Sequence, residues 1–393
     1  MEPESFGGYQ TQLYLDGLSG HRPSLPCGFA ELEERALASM SESVREYVCA
    51  PAGDGWTQEA NVAAFRTYGL MPRMLADAGE RDLSVELFGR TITAPAFFAP
   101  VGVAGICAQD GHGDLAVARA GAALGLPVVA TTLSNDPLEE VIRHVGGAPA
   151  WFQLYVPSDW SVCESLVRRA EAVGYEALVV TLDAWVGGWR PRDVTASNLP
   201  QLRGHCLSNY FTDPVFRARL ARPPEEDPQA ATLEWAAVFG RPLAWSDLDR
   251  LREMTSLPLV VKGICHPEDA RRARDAGVEA IYCSNHGGRQ ANGGLPAIDC
   301  LPEVVAAVDV PVLFDSGVRS GAELVKALAL GAAAVGIGRP WVYGMALGGT
   351  DGAVHVMRSI LAESDLLMAV DGYPTLRDLA PSAIRRVPTP GTS

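Results

Sequence analysis

The stretch Leu259–Arg289, LVVKGICHPEDARRARDAGVEAIYCSNHGGR, contains the pattern that decides the fold. Two apolar runs, Leu259–Lys262 and Ala280–Ser284, predict buried parallel strands, and Pro267–Ala276 predicts the crossover helix between them. Proline at the start of this helix and Gly277 directly after its end are typical helix boundaries. The stretch is therefore predicted to form one strand-helix-strand unit with polar residues after each strand.

The same alternation extends in both directions from this unit, beginning at Ala94. Helices are predicted at Asp114–Ala123, Asp159–Ala172 and Gly321–Leu330. The candidate strands are Ala96–Pro100, Pro127–Ala130, Ala150–Leu154, Ala177–Thr181, Leu259–Lys262, Ala280–Ser284, Val312–Asp315 and Ala334–Ile337. About eight parallel strands close a barrel, so we predict an α/β protein with a (β/α)8 TIM barrel.

Two regions interrupt the repeat. Residues 1–93 are predicted to form a mostly helical extension that packs on one end of the barrel, which itself spans 94–385. Residues 187–240 follow the fourth strand, and insertions at that end of a barrel strand surround the active site, so a lid is predicted there. Residues 386–393 are predicted to be a C-terminal tail.

Composition narrows the class of partner. The formal net charge of −15 over 393 residues, without a basic run, argues against binding to nucleic acid. The eight cysteines show no CxxC pair, and no histidine or acidic cluster has metal spacing. No signal-peptide pattern or membrane-length apolar run is present, so we expect a cytoplasmic protein with small-molecule ligands and no membrane partner.

Polar side chains follow six successive candidate strands, and in a barrel the C-terminal strand ends meet at the active site. These residues are Gln153, Tyr155, Thr181, Asp183, Lys262, Ser284, His286, Arg289, Asp315, Arg319, Gly338 and Arg339. The densest group is Ser284–Gln290, SNHGGRQ, in which glycines permit a tight turn between His286 and Arg289. Imidazole suits proton transfer near neutral pH, and guanidinium suits a carboxylate. A single histidine more often has a structural role. The functional interpretation of His286 therefore depends on the residues around it.

The loops after the last two strands predict a phosphate site. They contain Asp315–Arg319, DSGVR, and Gly336–Arg339, GIGR, which pair exposed backbone N–H groups with an arginine. Barrels commonly bind phosphate at these loops. The alternative is a pair of helix-capping turns. Asp315 is expected to hold hydroxyl groups rather than a metal.

The chain resembles the FMN-dependent 2-hydroxy acid oxidising family over nearly its whole length. The matching segments are Tyr9–Tyr14, Met71–Leu75, Cys107–Asp114, Phe152–Tyr155, Gly188–Asp193, Ser284–Pro296 and Phe314–Gly317. The resemblance implies FMN as cofactor, a tetramer or octamer of identical chains, and oxidation of a small L-2-hydroxy acid.

The resemblance also implies roles for residues in catalysis. His286 would remove the hydroxyl proton while the α-hydrogen leaves as a hydride to flavin N5, and Asp183 would stabilise the cationic imidazole. Lys262 would lie beside flavin N1 and favour electron uptake. Further cofactor contacts are expected from Pro100, Val101, Gly102, Thr131 or Thr132, Gln153, Thr181, Ser284, Asp315, Gly317, Arg319, Gly338 and Arg339.

For the substrate, the resemblance implies that Arg190, Arg289 and Tyr47 bind the carboxylate and that Tyr155 hydrogen-bonds the reacting oxygen. Gly187 stands where a bulky apolar wall is expected, which implies a wider pocket.

The overall likeness to the family and the residue Gly187 favour different functions. The overall likeness favours a monooxygenase that converts lactate and O2 to acetate, CO2 and water. Gly187 favours an oxidase or dehydrogenase acting on a larger, aryl or biosynthetic, 2-hydroxy acid. A flavin-binding barrel without catalysis is the third interpretation.

Overall fold

The computed structural model describes residues 5–387. Most of the predicted C-terminal tail, 388–393, lies outside the described residues, as do residues 1–4. Across 5–387, no helix combines the length and the apolarity needed to cross a membrane.

The first 93 residues contain more than helices. Among residues 5–93 the elements are α1 (Gly8–Leu18), α2 (Phe29–Ser39), α3 (Glu42–Cys49), α4 (Trp56–Ala64), β1 (Tyr68–Leu70), β2 (Val85–Leu87) and β3 (Arg90–Ile92). Strands β2 and β3 form an antiparallel hairpin, and β1 pairs antiparallel with β12 (Ile384–Arg386) near the other terminus. The mostly helical expectation therefore missed three short strands, which are too brief to give a clear period-2 pattern.

The predicted barrel is confirmed. In the described chain its strands are β4 (Ala96–Phe98), β5 (Val128–Thr131), β6 (Ala150–Leu154), β7 (Ala177–Thr181), β8 (Leu259–Ile264), β9 (Ala280–Cys283), β10 (Val312–Phe314) and β11 (Ala334–Ile337). Each strand pairs in parallel with the next, and β11 pairs with β4 to close the ring. The predicted strands agree with these bounds to within two residues at each end.

Helices surround the barrel and form the lid. In chain order they are α5 (Gly113–Leu124), α6 (Leu138–His144), α7 (Trp160–Val173), α8 (Pro191–Thr195), α9 (Ser208–Phe211), α10 (Pro214–Arg217), α11 (Pro228–Val238), α12 (Ser246–Met254), α13 (Pro267–Asp275), α14 (Ala297–Ala307), α15 (Gly321–Ala329) and α16 (Arg339–Asp371). Helices α8 to α11 lie in the insertion after β7, so the lid contains short helices. Helix α16 is broken at Gly348 and Gly349.

Aromatic side chains fill the barrel interior. The ring of Phe97 lies 5.3 Å from Trp151 and 5.5 Å from Tyr282, centroid to centroid. Phe88, in the turn of the β2–β3 hairpin, packs edge-on against Trp151 at 5.3 Å. The hairpin therefore closes the N-terminal end of the barrel, which leaves the C-terminal end for ligands.

The N-terminal extension contacts both barrel ends, rather than the single end expected. The backbone N–H of Ala52 donates to the carbonyl of Gly288 at 2.9 Å, on the side where the polar strand ends meet. The chain after α3 is thereby held beside the candidate active site. This contact places Tyr47 in the site, although its segment is remote in sequence from the loop that contains Gly288.

A buried carboxylate ties the extension to the last helix. Asp365 on α16 is 1% exposed and accepts hydrogen bonds from the backbone N–H of Gly7 at 2.7 Å and from Arg81 Nη2 at 3.1 Å. Loss of one member of a buried ion pair leaves the other charge without a partner.

We expect Asp365→Ala to lower the free energy of unfolding by about 3 to 5 kcal/mol, since Arg81 would remain largely buried without its partner. Urea denaturation measures this change. Glu31→Ala is the control, because its pair with Arg35 is exposed and should contribute less than about 1 kcal/mol. Equal effects of the two substitutions would contradict the role given to Asp365.

Candidate active site

A cavity of about 290 Å³ lies at the C-terminal end of the barrel, between the strand ends and the lid. Fifteen of the residues predicted for the site line it: Tyr47, Pro100, Val101, Gly102, Tyr155, Gly187, Arg190, Lys262, His286, Arg289, Asp315, Gly317, Arg319, Gly338 and Arg339. The structure thus brings together side chains from the extension, six strand ends and the lid.

Five predicted residues lie behind this lining. Thr131 Oγ1 donates to Gln153 Oε1 at 3.0 Å, and Gln153 Nε2 donates to Thr181 Oγ1 at 3.0 Å. These hydrogen bonds join the ends of β5, β6 and β7 in one buried row. Ser284 and Asp183 are also absent from the lining. Thr131, Gln153, Thr181 and Ser284 are thus hydrogen-bonded to one another or to Lys262 beside the cavity, and their contacts with the cofactor remain predictions.

The loop after β9 holds His286 in a strained backbone conformation. His286 has φ +59°, and Gly287 and Gly288 follow with φ +63° and +75°. A left-handed φ is unfavourable for a residue with a β-carbon and recurs at functional sites. Hydroxyl groups hold the turn, because Ser284 Oγ accepts from the N–H of His286 at 3.1 Å and Ser316 Oγ accepts from that of Gly287 at 3.0 Å.

His286 is paired with Asp183. Nδ1 of the imidazole lies 2.9 Å from Oδ1 of Asp183. A carboxylate can only accept, so Nδ1 carries the proton and Nε2 remains free to accept one. Burial by itself raises the pKa of the Asp183 carboxyl, but the charge and hydrogen bond of His286, together with Lys262, hold it below its ordinary value. Asp183 therefore stays ionised.

Gly263 leaves the space that this carboxylate needs. Its φ is +106°, and a β-carbon there would lie 2.9 Å from Asp183 Cγ. A side chain at residue 263 would therefore displace Asp183 from His286. The structure thus explains a glycine directly after Lys262 in a strand where glycine is otherwise unfavourable.

Two guanidinium groups flank the ring of Tyr47. The Cζ atoms of Arg289 and Arg190 lie 5.2 and 5.8 Å from the ring centroid. Arg190 Nε donates to Asp193 Oδ2 at 2.7 Å, which fixes its side chain beside the cavity. Burial lowers the pKa of Arg289 to about 10, the nearby Tyr47 opposes this change, and Arg339 and Arg190 add to it. An anion between the two guanidinium groups would relieve this repulsion.

Arg289 has a second role that the sequence did not indicate. Its Nη1 donates to the carbonyl oxygens of Tyr47, Val48 and Ala50 at 2.9, 3.1 and 2.8 Å. This nitrogen therefore holds the end of α3 in place, and the other guanidinium nitrogens remain available to a ligand in the cavity. These hydrogen bonds fix the path of the chain after Tyr47.

Lys262 is buried at the end of β8. Its Nζ donates to Ser284 Oγ at 3.0 Å and lies 3.6 Å from Asp315 Oδ2. Asp315 also accepts from the phenol of Tyr282 at 2.9 Å and from Ser316 Oγ at 2.8 Å. The ammonium group is thereby fixed in the cavity wall, where it can stabilise negative charge on a ligand.

The arginines of the last two loops, Arg319 and Arg339, are half-buried, and neither has a carboxylate partner within salt-bridge distance among residues 5–387. Arg319 Nη1 donates to the carbonyl of Val318 at 2.9 Å, and Arg339 donates to Gln58 and to the carbonyl of Val48. Burial lowers the pKa of both groups, and their mutual repulsion lowers that of Arg339 further.

Backbone geometry at the same point also favours an anion. Helix α16 begins at Arg339, and a β-carbon on the preceding Gly338 would meet nothing within 4 Å. A helix N-terminus with open space before it and two unneutralised guanidinium groups suits a phosphate. The residues present therefore fit the phosphate group of FMN. The flavin ring system would then lie against the wall that contains Lys262.

Three polar neighbours of the site have structural roles that the sequence did not indicate. Asp193 binds Arg190, Gln201 binds Tyr47, and Gln290 Nε2 donates to the carbonyls of Asp183 and Val186, both at 3.0 Å. Asp193 could have been found, because it follows Arg190 by three residues on a helix that begins with proline. Gln201 lies in a short 3₁₀ helix of the lid, Pro200–Arg203, and no sequence signal marks it.

Known proteins are similar to this chain in sequence and in fold. The family described as "FMN-dependent dehydrogenase" matches residues 36–386. The chain is 39% identical to the FMN-dependent alpha-hydroxy acid dehydrogenase qulF of Penicillium citrinum, over 100% of this chain and 98% of that protein. It is also 39% identical to an L-lactate oxidase of Lysinibacillus sphaericus, over 93% and 94% of the two chains. A soluble mutant of (S)-mandelate dehydrogenase from Pseudomonas putida is similar in structure, with TM-score 0.81, 31% identity and coverage of 92% and 99%.

We expect Arg339→Ala to weaken FMN binding by about tenfold to a hundredfold, since a hydrogen bond to a charged group contributes roughly 1.5 to 3 kcal/mol. Titration of FMN fluorescence with the apoprotein measures the dissociation constant. Arg217→Ala is the control, because that arginine pairs with Glu225 on the exposed face of the lid. An unchanged affinity in Arg339→Ala would show that the phosphate binds elsewhere.

Proposed function

Since the chain belongs to the FMN-dependent dehydrogenase family and oxidises 2-hydroxy acids with FMN, we propose that it takes a small L-2-hydroxy acid and O2 as its substrates. The observation that carries the proposal is that His286, paired with Asp183 behind it, lines the same cavity as Arg190 and Arg289. A base and a carboxylate site on one cavity are the two requirements for deprotonating the alcohol of a 2-hydroxy acid.

Arg190 and Arg289, with the phenol of Tyr47 between them, bind the substrate carboxylate. Tyr47 accepts a hydrogen bond from Gln201 Nε2 at 3.1 Å, so its own proton is free for the carboxylate. Tyr155 lines the same cavity and its burial raises its pKa, so the phenol stays protonated and donates to the hydroxyl oxygen. These contacts fix the α-carbon and orient its hydroxyl toward His286.

His286 accepts the hydroxyl proton at Nε2. Asp183 stabilises the resulting cation through Nδ1, as carboxylates do for catalytic histidines. When bound, FMN supplies the acceptor for the hydride of the α-carbon and the route of the electrons to O2. Lys262 places a fixed positive charge in the wall where the cofactor binds, which favours negative charge there.

The outcome with lactate is proposed to be that of a lactate 2-monooxygenase, giving acetate, CO2 and water. The lid supports this proposal. Its residues Gln201 and Trp235 line the cavity, and only 6% and 3% of their surfaces are exposed. A covered cavity keeps the 2-oxo acid and the peroxide together, and peroxide then decarboxylates the oxo acid. Release of both from an open site gives oxidase behaviour.

A second candidate is an oxidase or dehydrogenase of a larger, aryl or biosynthetic, 2-hydroxy acid. Gly187 favours it, because a β-carbon there would meet nothing within 4 Å. The surrounding wall is apolar, with Leu133, Val186, Leu199 and Phe239. This wall suits the side chain of a bulky substrate. Cytoplasmic location and assembly into a tetramer or octamer remain predictions.

We expect Asp183→Asn to slow reduction of bound FMN by 2-hydroxy acids by roughly 10² to 10⁴, since the imidazole loses the charge that stabilises its cation. His286→Gln should be at least as slow. Anaerobic stopped-flow absorbance measures the rate, and His21→Gln on the exposed surface is the control. A rate within threefold of wild type in Asp183→Asn would argue against His286 as the base.

Product analysis during aerobic turnover of L-lactate tests the proposed outcome. Acetate and CO2 in equal amounts, with little free peroxide, are expected from the monooxygenase. Pyruvate with hydrogen peroxide would contradict it and indicate an oxidase. Faster turnover of (S)-mandelate than of lactate would support the second candidate.

A further inference from the structure

The cavity opens to solvent at one short segment of the lid. Among the described residues that line the cavity, only Val186 and Gly187 are exposed, and the other wall residues are buried or half-buried. A β-carbon on Gly187 would meet nothing within 4 Å, so the space beside this residue is free. We call this opening, formed by Val186 and Gly187, the cavity mouth. A side chain at residue 187 would narrow the mouth, and glycine leaves it at its widest.

The cavity mouth lies close to the base proposed for the reaction. Gln290 Nε2 donates to the carbonyl oxygens of Asp183 and Val186, both at 3.0 Å, so these two oxygens can be no farther apart than twice that distance. Gly188 also lies against Gln290, because a β-carbon on this glycine would be 2.7 Å from the Gln290 carbonyl oxygen. Asp183 in turn pairs with His286. A 2-hydroxy acid whose hydroxyl contacts His286 therefore needs only a few further carbons to reach the mouth.

Two tryptophans flank the cavity mouth, and both are exposed. Trp185 and Trp189 have 46% and 70% of their surfaces exposed. Each is two residues from Gly187, so its Cα lies within about 8 Å of the Gly187 Cα. Their backbone is fixed, because the N–H of Gly53 donates to the carbonyl of Trp189 at 2.8 Å and a β-carbon on Gly240 would overlap the carbonyl of Trp185. Exposed indole groups on a fixed segment beside a cavity are typical of a ligand-binding surface.

An apolar side chain lies between the reacting oxygen and the mouth. Phe239 lines the cavity and packs on Tyr155, which is proposed to bind that oxygen, with 5.6 Å between ring centroids. The next residue, Gly240, contacts the backbone of Trp185. Val186 adds a second apolar side chain at the mouth itself. Burial against these side chains favours an apolar substrate side chain over a charged one.

We propose that the substrate is a 2-hydroxy acid whose side chain leaves the cavity through the mouth and ends in an aryl group that binds Trp185 and Trp189. Indole offers a flat apolar face on which aromatic groups stack, and an edge that they also contact. A side chain in the mouth would shield the cavity from solvent, which the methyl group of lactate cannot do. This inference rests on the proposed function and narrows its substrate class to aryl acids longer than mandelate.

Two matched pairs of L-2-hydroxy acids test the proposal with the FMN-bound enzyme. The acid 2-hydroxy-4-phenylbutanoate is compared with 2-hydroxybutanoate, and 2-hydroxy-5-phenylpentanoate with 2-hydroxypentanoate, so that each pair differs only by a terminal phenyl group. The readout is the second-order rate constant for anaerobic reduction of bound FMN, given as the ratio of the phenyl acid to its match. We expect a ratio above about 10 in at least one pair for wild type, since the phenyl group gains apolar and aromatic contacts.

Trp185→Ala and Trp189→Ala should each lower this ratio by about threefold to tenfold, because the phenyl group loses an aromatic contact. Gly187→Leu should lower it by at least as much, since the added side chain would fill the mouth. Tyr14→Ala is the control, because this exposed aromatic residue lies on α1, which packs on α16. Its ratio should equal that of wild type. The absorbance of bound flavin shows that each variant is loaded with FMN.

The failures are distinguishable. A ratio near 1 in both pairs for wild type would overturn this inference, and so would a ratio that neither tryptophan substitution lowers. Reduction of FMN by any of these acids would still support the proposed function in both cases. Bound FMN that none of the four acids, lactate or mandelate reduces would overturn the proposed function, and this inference with it.

Discussion

An excess of positive charge at the C-terminal end of the barrel is the constraint on which the candidate site depends. The chain as a whole carries a formal net charge of −15. Yet the cavity is lined by a single carboxylate, Asp315, and by five basic groups, Lys262, Arg190, Arg289, Arg319 and Arg339. Arg190 and Lys262 have carboxylate partners in Asp193 and Asp315, whereas Arg289, Arg319 and Arg339 have none within salt-bridge distance among residues 5–387. Anionic ligands would therefore stabilise this arrangement. A flavin phosphate and a substrate carboxylate would supply them at opposite ends of one cavity.

The scaffold keeps these groups apart and correctly oriented. The β2–β3 hairpin and the aromatic interior close one barrel end, so ligands enter only from the other. There, hydroxyl groups of Ser284 and Ser316 hold the left-handed turn at His286, and Gly263 leaves room for Asp183. The strain at His286 is thus offset by hydrogen bonds formed at the ends of β9 and β10, which links the position of the base directly to the barrel.

Much of this was predictable from the sequence, for physical reasons that also explain the remainder. The parallel strands are short apolar runs with polar residues at one end, so both the barrel and residues such as His286, Lys262 and Arg339 follow from local pattern. The resemblance to a known family added Tyr47 and Arg190. Tertiary contacts between remote segments have no such pattern: the clamp of Arg289 on the carbonyls after Tyr47 and the bond from Gln201 to Tyr47 required the structure. The hydrogen-bonded row from Thr131 through Gln153 to Thr181 likewise required the structure, because strand-end position alone does not show which neighbours a side chain bonds.

The central claim is that two separate anions neutralise this cavity, a phosphate at Arg319 and Arg339 and a carboxylate at Arg190 and Arg289. A crystal structure of the protein with FMN and a 2-oxo acid product tests it most directly. We expect the FMN phosphate at the N-terminus of α16 and the carboxylate between Arg190 and Arg289, with the product oxygen near His286 Nε2. A carboxylate bound away from both arginines, or a phosphate remote from Arg319 and Arg339, would contradict it.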